Sequence, residues 1–438
     1  MGRKRKPSKK RLSAEIRMDS LLSKVGTQFS EILDHRGKNV VYKLKDVLMS
    51  GLAIFTLKYS SLLEFEQQTE CEQDNLGSIF GVNKVCSDSQ FRTILDEVNP
   101  KAIYRILPDL VKELGKHGGL TGYKILGDYK IASIDGVEYF RSCKVGCKRC
   151  LKKKHRNGKV SNSHAMLGCS LVHPNKREVF PLGAEFIQQE DGYTKNDCEL
   201  NAAKRLKDQL KKDYPDEKLL IVEDALYGTS PNIEQIMGHG WQYVINVKPG
   251  SHPILFRLFE GRKSRNQLKT YKYEDEKGIK HRFYWMNNVA LNDSSKLRTN
   301  FLYYEQEDKK GNIQVFSWIS SFTIKKTNVE ILMRIGRSRW KVENETFNTL
   351  KNQGYHFEHN FGHGYNHLSN VMALLMLIAF SIDQIIQAAD KTFQQIEKKI
   401  RTKKRLWQDM VALFRTHYLF SFYDLFTRLA KLHRIQLE

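Results

Sequence analysis

The spacing of apolar residues divides the chain into segments of different texture. Residues 13 to about 120 read as helices. Over Leu44–Tyr59 the apolar positions recur at helical spacing. Ser87 is placed to cap a helix through Phe91, Ile94 and Leu95, which Asn99-Pro100 ends. Another helix is expected over Ile103–Leu114, with Pro108 a kink point. The stretch LGSIFGVNKVCSDSQFRTILDEV has the outline of helix, turn and helix. That outline suits a helix-turn-helix that reads DNA, and it also suits two helices that simply pack.

From Gly118 the pattern changes to short apolar runs. Tyr129–Ile134 reads as a strand ending in Asp135-Gly136, and Ala165–Val172 and Val179–Ile187 as two more. Asn196–Asp213 is an amphipathic helix with a lysine-rich outer face. Lys218–Val222 is a strand ending in Glu223-Asp224, Ser230 starts a short helix, and Trp241–Val247 is a further strand. This alternation marks an α/β fold with a mixed sheet. Residues 250–322 break it with strands at Tyr271–Tyr273, His281–Val289, Thr299–Glu305 and Gln314–Ser320, and a hairpin turn at Lys309–Asn312. This segment is expected to be all β. Thr327 and Glu330 then form a capping-box pattern, opening a long helix to about Asn352. A loop rich in His and Gly spans 354–370, an apolar helix covers about 371–389, and the tail to 438 is helical, basic and aromatic.

Composition narrows the function. With 438 residues, 40% hydrophobic and 28% charged, the chain is globular and suggests more than one domain. Its net charge is +23, and the rest stays basic once the arm MGRKRKPSKKRL (1–12) is set aside. A body this basic favours a polyanionic partner, nucleic acid first. The arm is either a solvated tail or a contact to DNA phosphates. Seven cysteines do not make a disulfide scaffold. The longest apolar run, Val371–Ile382, is shorter than the roughly 20 residues a bilayer requires, so a buried helix in a cytoplasmic protein is expected, with no membrane partner.

Asp135 and Asp224 each close a strand in the α/β region, where such folds place their sites, although Asp is also a common turn residue. A third acid comes from helix arithmetic. At ~100° per residue, Val329, Leu332, Met333, Gly336, Trp340, Phe347 and Leu350 share an apolar stripe that includes Glu343, while Glu345 faces the other way. A carboxylate on a buried face needs a cation or a metal; Arg339, one turn earlier, would make a plain ion pair. Three carboxylates from two strands and a helix also suit two Mg²⁺ or Mn²⁺ ions ~3.5–4 Å apart that serve phosphoryl transfer.

The order IASIDG, IVEDALYG, GRSRWKVENETFNTLKNQGY resembles bacterial insertion-sequence transposases of the DDE type, in the subgroup with a β-rich insertion before the catalytic Glu. Arg339 and Glu343 fall in register with that subgroup's Tyr, Arg, Glu, Lys signature. Gly336 stands at the Tyr position and Leu350 at the Lys position, with Lys351 one residue late. The resemblance, which covers roughly 120–380, implies a ribonuclease H-like catalytic domain over 121–250 and 323–390 with an all-β insertion over 251–322; the residues themselves give the expectation of a helical N-terminal domain over 13–120 that binds DNA and a helical basic region over 391–438. The resemblance implies that Asp135, Asp224 and Glu343 are catalytic and hold two metal ions, with Arg339, Trp340, Lys351 and His363 at the DNA. The activity implied is cleavage at element ends and strand transfer into target DNA. The resemblance also implies the terminal inverted repeats and target DNA as partners, a homodimer on DNA, and association with the nucleoid when bound. An inactive DNA-binding derivative and a nuclease that cuts without joining are the alternatives.

Cys143, Cys147 and Cys150, with His155 or His164, have zinc-ligand character through the Cys-x2-Cys spacing; incidental cysteines are the plain alternative. His356, His359, His363 and His367 lie in a glycine-rich loop, where phosphate contacts or loop hydrogen bonds are expected before a metal. Trp285 and Trp318 are expected as buried strand residues, base stacking being the other account.

Overall fold

The computed structural model describes residues 16–190, 195–293, 296–359, 361–400 and 402–437; the basic arm lies outside them. Helices α1 (Met18–Ser30), α2 (Leu44–Thr56), α3 (Leu62–Phe80), α4 (Asp88–Asp96), α5 (Pro100–Tyr104) and α6 (Ile106–Lys116) precede a mixed sheet. α3 ends at Gly81, whose positive φ of 63° suits a left-handed cap, and α4 follows, so helix, turn and helix are all present. α4 buries Phe91, Ile94 and Leu95 and turns Gln90, Arg92 and Thr93 outward.

The strands are β1 (Lys124–Ile125), β2 (Tyr129–Ser142), β3 (Leu151–Lys154), β4 (Val160–Val172), β5 (Phe180–Ile187), the short pair β6 (Gln189–Glu190) and β7 (Lys195–Asn196), β8 (Leu219–Glu223) and β9 (Gln242–Asn246). After helix α9 (Pro253–Ser264) come β10 (Lys269–Glu274), β11 (Lys280–Ala290), β12 (Arg298–Glu307) and β13 (Ile313–Ser320). Among the described residues eleven strands form one sheet in the order β10-β11-β12-β13-β9-β8-β2-β4-β3, with β1 on β2 and β5 on β4. β2, β8 and β9 run parallel, and the remaining pairs are antiparallel. The segment expected to be all β therefore opens with a helix, and its strands continue the main sheet through β13 on β9 rather than forming a sheet of their own. Trp285 and Trp318 are buried within it.

Helices α7 (Glu199–Asp213) and α8 (Ser230–Gly238) flank the parallel strands. The helix expected over 327–352 is broken. α10 (Val329–Arg337) gives way to a tight turn, then to a π-helical segment at Val342–Phe347, then to α11 (Asn348–Asn352). The Asn348 N–H donates to the Glu343 carbonyl, the i to i+5 pattern of a wide turn.

α12 (Leu368–Ala389) is long and apolar enough to cross a membrane by length and composition, yet 94% of its apolar window is buried inside the protein. It packs against α2, α4, α5, α6 and β5. The last helices, α13 (Lys391–Lys399), α14 (Lys403–Thr416) and α15 (Phe422–Leu432), fold back on the first ones. Asn75 of α3 donates to the Phe414 and His417 carbonyls and accepts from Leu419 N–H, and Asp19 of α1 accepts from Phe422 N–H. The two ends of the chain thus form one helical body around α12.

Candidate active site and Cys/His cluster

Strand register places the two aspartates. Ser133 of β2 is level with Val222 of β8 in a parallel ladder. Two residues beyond that pair stand Asp135, still within β2, and Asp224, the first residue past the end of β8. β2 does not end at Asp135, as the sequence suggested. It continues to Ser142 because β4 pairs with it throughout, while the β8 ladder stops at Ser133. Asp135 therefore sits where β8 leaves the sheet, which opens the cleft beside it.

Each aspartate is held by backbone. The Gly136 N–H donates to Asp135 Oδ1 at 2.9 Å, and the Leu226 N–H to Asp224 Oδ1 at 2.8 Å. The end of β8 is locked by a fully buried ion pair, Lys207 Nζ of α7 to Glu223 Oε1 at 2.6 Å, with Asn232 donating to Glu223 Oε2 at 2.7 Å. Because Lys207 lies midway along α7, this pair also ties that helix to the end of β8. Glu199, the first residue of α7, faces the cleft: a Cβ added at Gly136 would lie 3.1 Å from its carboxylate, and the Tyr227 hydroxyl donates to it at 3.4 Å. Burial raises the Glu199 carboxyl above its ordinary range, with Asp224 and Asp135 adding repulsion against a weaker opposing bond from Tyr227. Burial likewise raises Asp135; Arg339 and the Gly136 N–H oppose this, and Asp224 adds to it. The sequence reading missed Glu199, whose only sequence signal is an acid in the first turn of an amphipathic helix.

The helical segment carrying Glu343 lies across β2 and β4. The Ser133 hydroxyl donates to the Arg339 carbonyl at 2.9 Å, Ser170 and Thr346 hydroxyls meet at 3.0 Å, and the Phe347 ring covers Gly168, the residue paired with Asp135. Arg339 makes an ion pair with Asp135. Of the stripe drawn for an unbroken helix, Val329, Leu332, Met333, Gly336, Phe347 and Leu350 are buried, but Trp340 and Glu343 leave it. The break after α10 and the wide turn that follows shift the phase: Glu343 is exposed, Glu345 is half-buried and Trp340 is 46% exposed. Among the described residues the Glu343 carboxylate makes no hydrogen bond or ion pair, and the contacts that join Asp135, Asp224, Glu199 and Arg339 do not include it.

The two departures from the Tyr, Arg, Glu, Lys signature have packing causes. The indole of Trp318 fills the space into which a side chain at Gly336 would project. Leu350 is fully buried in the core, where a lysine would strand its charge. Lys351 pairs with Glu358 at 2.7 Å.

The second constellation is the Cys/His cluster. Among the described residues one group of His, Cys, Asp or Glu has its ligand atoms within 4.8 Å of one another: Cys147, Cys150, His164 and His363. This corrects two expectations. Cys143 is exposed and outside the group. His363, expected at DNA, is buried with Nε2 3.4 Å from Cys150 Sγ. His155 instead bonds Ser161. The Cys147 thiol is pulled strongly down by its bond with Cys150, against burial and with help from both imidazoles; the partner Cys150 is pushed up by Cys147 and by burial.

No curated protein matches this chain. The family described as transposase DDE domain matches residues 148–381, which contain Asp224 and Glu343 and begin thirteen residues after Asp135. Members of that family use divalent metal ions, usually Mg²⁺. With a mixed sheet carrying acids at the ends of its parallel ladders, and more than half of its length matched, the chain belongs to the transposase DDE domain family.

Proposed function

We propose that this protein is a metal-dependent DNA transposase that cleaves phosphodiesters at element ends and joins the freed 3′-hydroxyl to target DNA. The observation that carries the reading is the register that sets Asp135 beside Asp224, with the Arg339–Glu343 segment laid over the same strands. The core over 121–250 and 323–390 is read as ribonuclease H-like, the strands within 251–322 as an insertion added to its sheet, and the helices within 13–120 as a DNA-binding part. Asp135, Asp224 and Glu343 are assigned as the catalytic carboxylates.

The donor set fits hard divalent cations. Oxygen ligands are what Mg²⁺ prefers, and Asp135 already accepts a cation in the form of the Arg339 guanidinium. When bound, a pair of such ions activates the attacking oxygen and stabilises the leaving one. The residues of this chain do the positioning. Ser133 anchors the Arg339 backbone to β2, which fixes where the following turn lies. Arg339 neutralises Asp135 before DNA arrives and is then placed to meet a phosphate. Glu343, four residues on and exposed, turns into the cleft as the third carboxylate. Glu199 adds negative charge that strengthens the hold on cations. Exposed Trp340 and half-buried Lys351, on the same segment, face the nucleic acid. The protein works as a homodimer on the terminal inverted repeats, in the cytoplasm.

The test pairs cleavage with strand transfer on DNA carrying the element ends, with Mg²⁺ or Mn²⁺. Asp135→Asn, Asp224→Asn and Glu343→Gln should each reduce both steps to background while DNA affinity is retained. Cleavage without joining by the unaltered protein would make it a nuclease. Full activity in Glu343→Gln would remove that residue from the site.

A further inference from the structure

We propose that Cys147, Cys150, His164 and His363 bind one structural zinc ion, which staples the β3–β4 hairpin to the loop that follows the Glu343 segment. The argument is metric. Zn–S bonds of ~2.3 Å and Zn–N bonds of ~2.0–2.1 Å at tetrahedral angles give edges of ~3.8 Å between sulfurs and ~3.5 Å between sulfur and nitrogen. The protein shows 3.8 Å from Cys147 Sγ to Cys150 Sγ and 3.5 Å from Cys147 Sγ to His164 Nε2. His164 Nε2 and His363 Nε2 each lie 3.4 Å from Cys150 Sγ. A disulfide would require sulfurs ~2.05 Å apart. Four of the six edges of one tetrahedron are thus matched by side chains from three separate segments, and all four ligand atoms lie within 4.8 Å of one another.

The placement says what the ion does. Cys147 and Cys150 lie in the turn before β3. His164 stands on β4 opposite Phe140 of β2, and His363 arrives from a loop 213 residues beyond Cys150. Cys150, His164 and His363 are buried, and Phe140 packs its ring 4.4 Å from that of His363. With four protein ligands and no open position, the site is closed, as structural zinc sites are. Its sulfur and imidazole donors select zinc, whereas the carboxylate cleft selects oxygen-seeking ions, so the protein would use two metals for two purposes. The stapled hairpin carries exposed Lys152, Lys153, Lys154 and Arg156, so the ion also fixes a cationic edge of the sheet.

Zinc content is measured without DNA and is independent of the transposase reading. The full chain, purified from zinc-supplemented culture and dialysed, should hold about one zinc per chain by plasma mass spectrometry. Cys150→Ser and His363→Gln should lose it, and Cys143→Ser should keep it. Since the first two variants can also fail to fold, the unaltered chain is stripped with a chelator and reloaded with Co²⁺. The expected result is the visible absorption of tetrahedral, thiolate-bound cobalt, with protease cleavage in 353–367 appearing on stripping and disappearing on zinc return. Zinc-free unaltered protein that gives no tetrahedral cobalt spectrum would overturn the proposal. Loss of zinc from Cys143→Ser as complete as from Cys150→Ser would overturn the ligand set.

Discussion

The carboxylate cleft and the Cys/His cluster are built on the same two strands, β2 and β4, and are assembled to different degrees. In the cluster, four ligand atoms lie within 4.8 Å and are closed off by aromatic rings. In the cleft, Asp135 and Asp224 stand side by side, while Glu199, whose carboxylate reaches toward them, and Glu343 are both exposed. The difference is electrostatic. A thiol and an imidazole share a proton and attract, so the polypeptide alone can bring them together. Three or four carboxylates repel, and burial worsens it, so some of them stay back until a cation compensates. A preassembled set suits a structural site, and a partly assembled one suits a site completed by substrate and cofactor.

The contrast can be tested by forcing the cleft toward the family signature. Leu350→Lys buries a charge with no partner and should cost ~3–5 kcal/mol, enough to abolish cooperative folding in a denaturant titration. Gly336→Tyr drives a ring into Trp318 and should cost ~1–3 kcal/mol or more, recovered in part by Trp318→Ala. If either variant is as stable as the parent, packing does not explain the departures and the helical segment lies elsewhere.

The cluster depends on the loop that delivers His363, and Asp96 holds that loop. Its carboxylate accepts the N–H groups of Tyr365, Asn366, His367 and Leu368, capping α12 from another helix. Burial opposes its ionisation, but these four donors outweigh that and hold its pKa below the ordinary value. A lowered folded pKa contributes stability above the unfolded value of ~3.9 that is lost as pH falls through the folded one. Asp96→Ala should therefore cost ~2 kcal/mol at neutral pH, and less as acid is added, read by thermal melts across pH. A constant deficit down to pH 2 would contradict the role.

Smaller effects sharpen the assignment of surfaces. Lys152→Ala, Lys153→Ala and Lys154→Ala together should reduce the slope of log affinity against log salt by about 0.9 for each phosphate contact removed, with fold and zinc intact. An unchanged slope would take the hairpin away from DNA. Least of all, Glu345→Gln should alter stability by under ~0.5 kcal/mol and leave cleavage as it was. If Glu345→Gln stops cleavage and Glu343→Gln does not, the wide turn presents the other acid and the borrowed register is wrong.

Local patterns carried the regular elements. Short apolar runs marked β4, β5, β8, β9 and α12, elements sunk in the core, and helical spacing marked α2 and α4, because burial leaves its pattern in the residues themselves. Cys-x2-Cys spacing brought two ligands together for the same local reason. The long helix after Thr327 misled, since a π-helical turn changes the phase without any change in the apolar count, and with it went the placement of Glu343 and Trp340. Contacts between distant residues leave no such repeat. His363 joining Cys150, Asp96 capping α12, Glu199 reaching Asp135 and Trp318 excluding a side chain at Gly336 are each decided by how separate elements meet. By itself the sequence determined most of the strands and helices, though not α9 or the break after α10, together with the basic charge and the candidate acids. Only the tertiary structure decided which of those acids and histidines share a site, because strand register and helix packing set distances that chain separation does not.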